Sequence, residues 1–299
     1  MTQSQTILTA TYPPAKLGVA SVIYGIGIAA GLALGPTLGG FITDNYSWNW
    51  VFYINVPLGI LAATTSWMTI PNEKNQKVKE NIDWWGIVFL AIGIGSLQYV
   101  LEEGNSKNWF DSHVIFVFSI IAAIGLIAFC YTELTTKMPA VNIRLMKRKN
   151  LAFGVVFNFI IGAILYIAVY TFPLMAQINL GWTATISGLA LMPGALMSTA
   201  GLIFSQKAID RGVDPKVLIA SGFICTFIFG TWMSFQSESS SFTGLFIPLI
   251  FRGLGIGLFM LPVIMMSIQG LSGTDLGQGA GLGNMAKQLG GAVGLALIG

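Results

Sequence analysis

Long apolar runs separated by short polar stretches recur along the whole chain, and inside them there is neither the alternation of a half-buried strand nor a continuous polar face. About nine such runs occur, at roughly 17–42, 50–70, 84–102, 113–134, 151–177, 185–206, 215–235, 244–269 and, incompletely, 278–299. Each has close to or more than the ~20 residues that about 30 Å of hydrocarbon requires at 1.5 Å rise per residue. Backbone polar groups cannot stay unpaired in lipid, so runs this long without alternation are helices and not barrel strands. The pattern predicts an all-α integral membrane protein.

The polar stretches add an orientation. Lys16 precedes the first run, Lys74, Lys77 and Lys79 follow the second, Lys137, Arg144, Lys147, Arg148 and Lys149 follow the fourth, and Lys207, Arg211 and Lys216 follow the sixth. The intervening loops carry Asp44, Glu102, Glu103, Asp111 and Glu238 but only one base, Lys107. Short basic loops stay on the cytoplasmic side, so the first run is expected to travel outward. Tyr46, Trp48, Trp50, Trp84, Trp85, Trp109 and Trp182 fall where interfacial aromatic belts are expected.

Composition agrees, at 54% hydrophobic and 9% charged residues with 36 glycines, and the net charge of +3 speaks of topology, not of nucleic acid. Cys130 and Cys225 both fall inside runs, where packing is the expected role, and the single histidine, His113, sits at a helix end. No nucleophile and base pair stands at membrane depth, and no phosphate-cradling loop is visible, so catalysis is not expected and neither is a metal or organic cofactor. Residues 3–10 read as the end of a preceding helix, with Tyr12, Pro13, Pro14 and Lys16 as the turn after it. Together with the uncapped final run, this suggests a chain cut short at both ends.

Inside the runs a few residues stand out. Gly31, Gly35 and Gly39 share one helix face, with Pro36 and Gly40 beside them; such a face admits a neighbouring backbone, and the proline bends the helix. Leu17, Gly18, Gly31, Ala33 and Gly35 align with Leu276, Gly277, Gly290, Ala292 and Gly294, a weak internal repeat of the kind two-bundle transporters show. Arg252 lies about 15 Å deep at 1.5 Å per residue. A base at that depth must face protein and find a partner, either in a central cavity or on helix carbonyls. Asn158, Tyr166, Tyr170 and Gln177 on one helix and Phe259, Met260 and Met265 on another are candidate cavity lining, with helix packing as the competing role. Pro173, Pro193, Pro248 and Pro262 can bend their helices beside such a cavity. Lys287 is expected to snorkel to the cytoplasm, Glu102, Glu103 and Glu133 are expected to be solvated helix-end carboxylates, and Asp44 a helix-end polar group.

Gly31, Gly35, Pro36, Gly39 and Gly40 together resemble the antiporter signature of the major facilitator superfamily. The stretch from Asp44 through Tyr46, Trp48, Trp50, Phe52, Asn55, Pro57 and Gly59 is similar to the 14-span drug:proton antiporters, EmrB/QacA-like exporters in particular. Asp83 and Trp84, Gly95 to Gln98, Leu101, Glu102 and Gly104, and Trp109 to Ser112 match the additional helix pair of that group. The resemblance covers essentially the whole chain. It implies a partial major facilitator fold holding spans five to thirteen: residues 1–71 as the rest of the N-terminal bundle, 72–149 as the additional pair, and 150–299 as most of the C-terminal bundle. Arg252, Gly253, Gly255 and Gly257 are similar to an echo of the family's span-four arginine motif.

By the same resemblance the expected activity is proton-coupled multidrug efflux across the cytoplasmic membrane of a bacterium, by alternating access and driven by the proton motive force. The implied partners are the lipid bilayer, small hydrophobic or amphiphilic drugs, and a periplasmic adaptor with an outer-membrane channel. A transport-inactive fragment, a metabolite or siderophore carrier of the same fold, and a receptor or scaffold remain as alternatives.

Overall fold

The computed structural model describes residues 12–69, 83–136, 139–236, 242–271 and 274–298. The stretch 3–10, the lysines at 74, 77, 79 and 137, and Glu238 lie outside the described residues. Among those described the order is α1 (Pro14–Asn45), α2 (Asn49–Tyr53), α3 (Asn55–Thr69), α4 (Trp84–Glu103), α5 (His113–Thr135), α6 (Lys149–Ile178), α7 (Ala184–Asp210), α8 (Pro215–Ser234), α9 (Phe242–Ile268) and α10 (Thr274–Ala296), with 3-10 turns at Trp109–Asp111 and Ile143–Lys147. No strand occurs among the described residues, so the all-α expectation holds.

Local chemistry explains where the helices start and stop. Proline supplies the first residue of both α1 and α8, where its missing N–H costs nothing. Asp83, Thr183 and Asp214 each accept a backbone N–H at the start of α4, α7 and α8. The run at 50–70 is divided between Tyr53 and Asn55, because Pro57 cannot donate to the Tyr53 carbonyl and its ring crowds that residue. Pro36, Pro173, Pro193, Pro248 and Pro262 all sit inside helices that continue through them.

Among the described residues seven helices, with Asn49–Thr69 taken as one, are long and apolar enough to cross a membrane. About nine were expected; α1 and α10, of 32 and 23 residues, have the length but are not among these seven. The final helix is a borderline case because Gln278, Asn284, Lys287 and Gln288 dilute it.

α9 is the axis of the C-terminal assembly, packing on α7, α8 and α6; α10 pairs with α6, α1 lies along α7, and α4 pairs with α5. The apolar core forms three clusters. Ile161, Ile219, Ile256, Phe259 and Val263 join α6, α8 and α9. Phe172, Ala190, Leu191, Leu245 and Leu249 join α6, α7 and α9. Leu145, Leu151 and Leu271 close the end that carries the basic loops. At that end Arg148 donates to the Gly270 carbonyl and lies 3.7 Å from Asp275. At the opposite end Asn105 donates to the Ala296 carbonyl at 2.9 Å and so ties the α4–α5 turn to α10. In that turn Gly104 leaves room for the Trp109 ring, whose indole N–H donates to Asn105 at 2.7 Å.

Candidate functional site: helix seams and a buried guanidinium

Lipid tails are as apolar as leucine side chains, so helices in a bilayer gain little by hiding apolar surface from it and associate instead where small residues let backbones touch. α9 does this on two sides. Gly253 and Gly257 face α7, where a Cβ on Gly253 would collide with the Gly194 carbonyl and one on Gly257 with the Ser198 carbonyl. Gly255, two residues away and so on the other side of the helix, faces α8, where a Cβ would come within 2.7 Å of the Gly222 carbonyl. The glycines of the Arg252 motif therefore serve two partners. Ser205 adds a hydroxyl bond to the Leu258 carbonyl at 3.1 Å.

Arg252 stands at this crossing. It is 5% exposed, and its Nε and Nη1 atoms are buried without a hydrogen-bond partner. Gly194 makes the room for it, since a Cβ there would come within 3.3 Å of Nη2. A guanidinium stays charged, and every carboxylate among the described residues lies at or within a turn of a helix end. The expected buried arginine is thus present. Neither expected partner, a nearby carboxylate nor a bonded helix carbonyl, satisfies those two nitrogens among the described residues.

The second seam joins α1 to α7. Gly40 abuts the Ala184 carbonyl, and the Pro36 carbonyl lies against Gly188. The close approach therefore falls on Pro36 and Gly40. A Cβ on Gly31, Gly35 or Gly39 would meet nothing within 4 Å, so the face expected to receive a backbone is open among the described residues. Polar bonds fasten this seam: Thr37 donates to the Gly188 carbonyl at 3.1 Å, and Asp44 accepts from the Thr185 backbone N–H at 2.7 Å and the Thr185 hydroxyl at 2.6 Å. The Thr185 hydroxyl, followed by its N–H, holds the Asp44 carboxyl below its ordinary value. Asp44 is the helix-end polar group expected, exposed at the end of α1, and it also clamps the first turn of α7.

The candidate cavity residues do not share one wall. Phe259 is fully buried and stacks on Phe223 at 5.1 Å, so it belongs to the core. Met260 packs at the edge of that cluster, while Met265 is exposed. On α6, Tyr166, Tyr170 and Gln177 are exposed; Tyr166 donates to Gln288 at 2.7 Å, and Asn158 donates to the Gly154 carbonyl at 2.8 Å. Lys287 is half-buried, with its carbonyl against Gly162. Because α10 begins at Thr274, Lys287 is about 20 Å from the basic end at 1.5 Å per residue, too far to snorkel there. It is a second base at membrane depth.

Glu133 also departs from expectation. It is fully buried, not solvated, and accepts the Val141 backbone N–H at 3.1 Å. The α7 stripe of Gly188, Gly194, Ser198, Gly201 and Ser205, which carries both seams, was visible in its three-to-six-residue spacing but lies in a run otherwise unremarkable in composition.

Fold and seams together define a multi-pass helical membrane protein held by small-residue contacts. Sequence comparison carries this further. The Multidrug export protein EmrB of Haemophilus influenzae is 32% identical over 98% of this chain and 58% of its own length. The Fatty acid resistance protein FarB of Neisseria gonorrhoeae is 31% identical over 99% of the chain and 58% of its own length. The Multidrug export protein EmrB of Escherichia coli K12 is 29% identical over 98% and 57%. The chain therefore spans about 58% of the length of these curated relatives. The family model of the Major Facilitator Superfamily matches residues 1–295, and the chain belongs to that superfamily, whose members are transporters and not enzymes.

Proposed function

We propose that this chain is the larger part of a proton-coupled exporter of hydrophobic or amphiphilic drugs, seated in the cytoplasmic membrane of a bacterium and working by alternating access. The observation that carries the reading is the α1–α7 seam. Its backbones touch at Gly40 and Gly188, yet it is fastened by polar bonds at one end, as a contact that parts and reforms would be. α1 then belongs to the N-terminal bundle and α6 to α10 to the C-terminal one, with α4 and α5 between them. The names of the EmrB relatives support drug export, and the family's transporter character supports movement without nucleotide. Pairing with a periplasmic adaptor and an outer-membrane channel belongs to the same reading.

In this reading Arg252 holds a negative partner at the bundle interior during the cycle, because leaving a buried guanidinium unpaired costs several kcal/mol. Proteoliposomes carrying the protein, loaded with ethidium and given an imposed proton gradient, test the proposal. Gradient-dependent dye movement is expected, with Arg252→Met abolishing it while the protein still inserts and melts normally. No movement with the wild-type protein would favour the transport-inactive alternative, and unchanged movement with Arg252→Met would make the arginine structural.

A further inference from the structure

We infer that Asp83 and Glu133 form a carboxyl pair that binds a single shared proton and clasps the two helices of the α4–α5 hairpin at their basic-loop end. Asp83 caps α4: its Oδ1 accepts the Gly86 backbone N–H at 2.9 Å, and its Oδ2 is buried without a partner. Glu133, in the last turn of α5, is fully buried; its Oε2 accepts the Val141 N–H, and its Oε1 is buried without a partner. The two free oxygens converge on one spot. A Cβ on Gly86 would lie 2.7 Å from Glu133 Oε1 and 2.8 Å from Asp83 Oδ2, so the glycine keeps open the space in which they meet.

Two ionised carboxylates side by side out of water repel each other and leave two acceptors without donors. One proton removes both faults: carried on either carboxyl, it makes an O–H that donates to the other. A metal ion fits less well, since hard cations take six or more oxygen ligands and the pair offers two free ones, with Asn142 Oδ1 as a further unpartnered acceptor on the adjoining turn. The charged and titratable groups around the pair are few. On the turn after α5, Arg144 is exposed and spends its guanidinium on the Leu134 and Thr136 carbonyls, and Lys147 is exposed. On α5 itself Tyr131 is exposed, and on α4 the first turn carries Trp84, Trp85 and Gly86. The lysines at 74, 77, 79 and 137 lie outside the described residues.

The clasp has a functional consequence: the hairpin is closed while the proton is held, and two like charges push it apart once the proton leaves on the alkaline side. Infrared spectroscopy of the purified chain in nanodiscs reads the proton directly as a protonated-carboxyl C=O band. The wild-type protein is expected to show that band at neutral pH and to lose it as pH rises, with thermal stability falling over the same range. Asp83→Asn and Glu133→Gln each supply an N–H in place of the shared proton, so each is expected to abolish the band and flatten the pH dependence of the melting temperature while remaining folded. Gly86→Ala, which pushes a methyl between the oxygens, is expected to lose the band as well. A band that survives Asp83→Asn would mean a lone protonated Glu133, and the absence of any band in the wild type would mean a cationic partner such as a lysine. Stabilisation of the wild type by sodium or calcium, lost in both variants, would mean a metal site. Any of the three overturns the shared proton.

Discussion

The α7 helix makes two seams from the same material and uses them differently. Against α9 it places Gly194, Ser198 and Gly201 on Gly253 and Gly257, deep in the assembly, where the most apolar stretch of α9 is 56% buried. Against α1 it places Ala184 and Gly188 on Gly40 and Pro36, in a helix most of whose other described faces are exposed. The first seam is closed by packing and by the aromatic core behind it. The second is also held by polar bonds, Thr185 on Asp44 at its end and Thr37 on Gly188 beside the backbone contact. Dispersion contacts over a buried interface weaken all together once the helices part by about 1 Å, whereas a few hydrogen bonds at an edge can be exchanged for water one by one. Small residues alone thus do not say whether a membrane interface is permanent. What surrounds them does.

The largest effect is expected on the permanent side. Phe259 fills the space between α6, α8 and α9 and stacks on Phe223, so Phe259→Ala should cost about 3–5 kcal/mol by the usual cavity and contact losses. Reversible unfolding in mixed micelles measures it. A loss under 1 kcal/mol would return Phe259 to a cavity wall. Gly253→Ala is expected to cost about 1–3 kcal/mol, because its methyl meets the Gly194 carbonyl and neither backbone can yield without moving a helix. Gly40→Ala presents a similar collision to the Ala184 carbonyl but should act elsewhere, loosening α1 in hydrogen exchange while the α6 to α10 core melts as before. If both substitutions lower the melt of the core equally, the two seams are one structural unit and the contrast drawn between them fails.

How much of this was legible beforehand follows from what each feature depends on. Helices of membrane length depend on summed apolarity and were legible; their ends were less so. The break at Ile54 follows from Pro57, a local rule obscured by a continuous apolar run. α10 starts at Thr274 with Asp275 in its first turn, polar residues that stand outside the apolar run but that a helix N-terminus favours. Arg252 was singled out because charge at depth is rare. Lys287 was not, because its depth depends on that misplaced start. The partners of Asp44 and Gly40 lie across the fold from them, Thr185 standing 141 positions from Asp44, and a single sequence carries no trace of such pairings; the donor to Glu133 is only eight positions on, across a turn whose path no pattern gives.

A smaller effect is expected at the Asp44 clamp, and its sign is fixed by ionisation. The carboxylate accepts two bonds from Thr185, and its proton affinity is held below the usual 3.8. The clamp is therefore intact above that value and lost only as pH falls through the lowered one. Between pH 5 and 8 the protection of the segment around Thr185, corrected for intrinsic exchange, should not change. Asp44→Ala should remove it at every pH. Protection that disappears already near pH 6 would make the clamp itself a proton switch, and the two seams would then differ in chemistry as well as in strength.

The smallest effect belongs to the open face of α1. A methyl on Gly31 meets nothing within 4 Å, so Gly31→Ala adds no collision and removes the helix cost of glycine, about 1 kcal/mol at an interior position. The chain should be unchanged or slightly stabilised, in contrast to Gly40→Ala nine residues further along the same helix. This pair separates two explanations of a glycine-rich membrane helix. If glycine serves only to let α7 in, then only Gly40 matters. If instead Gly31→Ala weakens folding or transport, a second backbone must lie against the Gly31, Gly35 and Gly39 face when the protein works, and α1 would be gripped from both sides in the way α9 is.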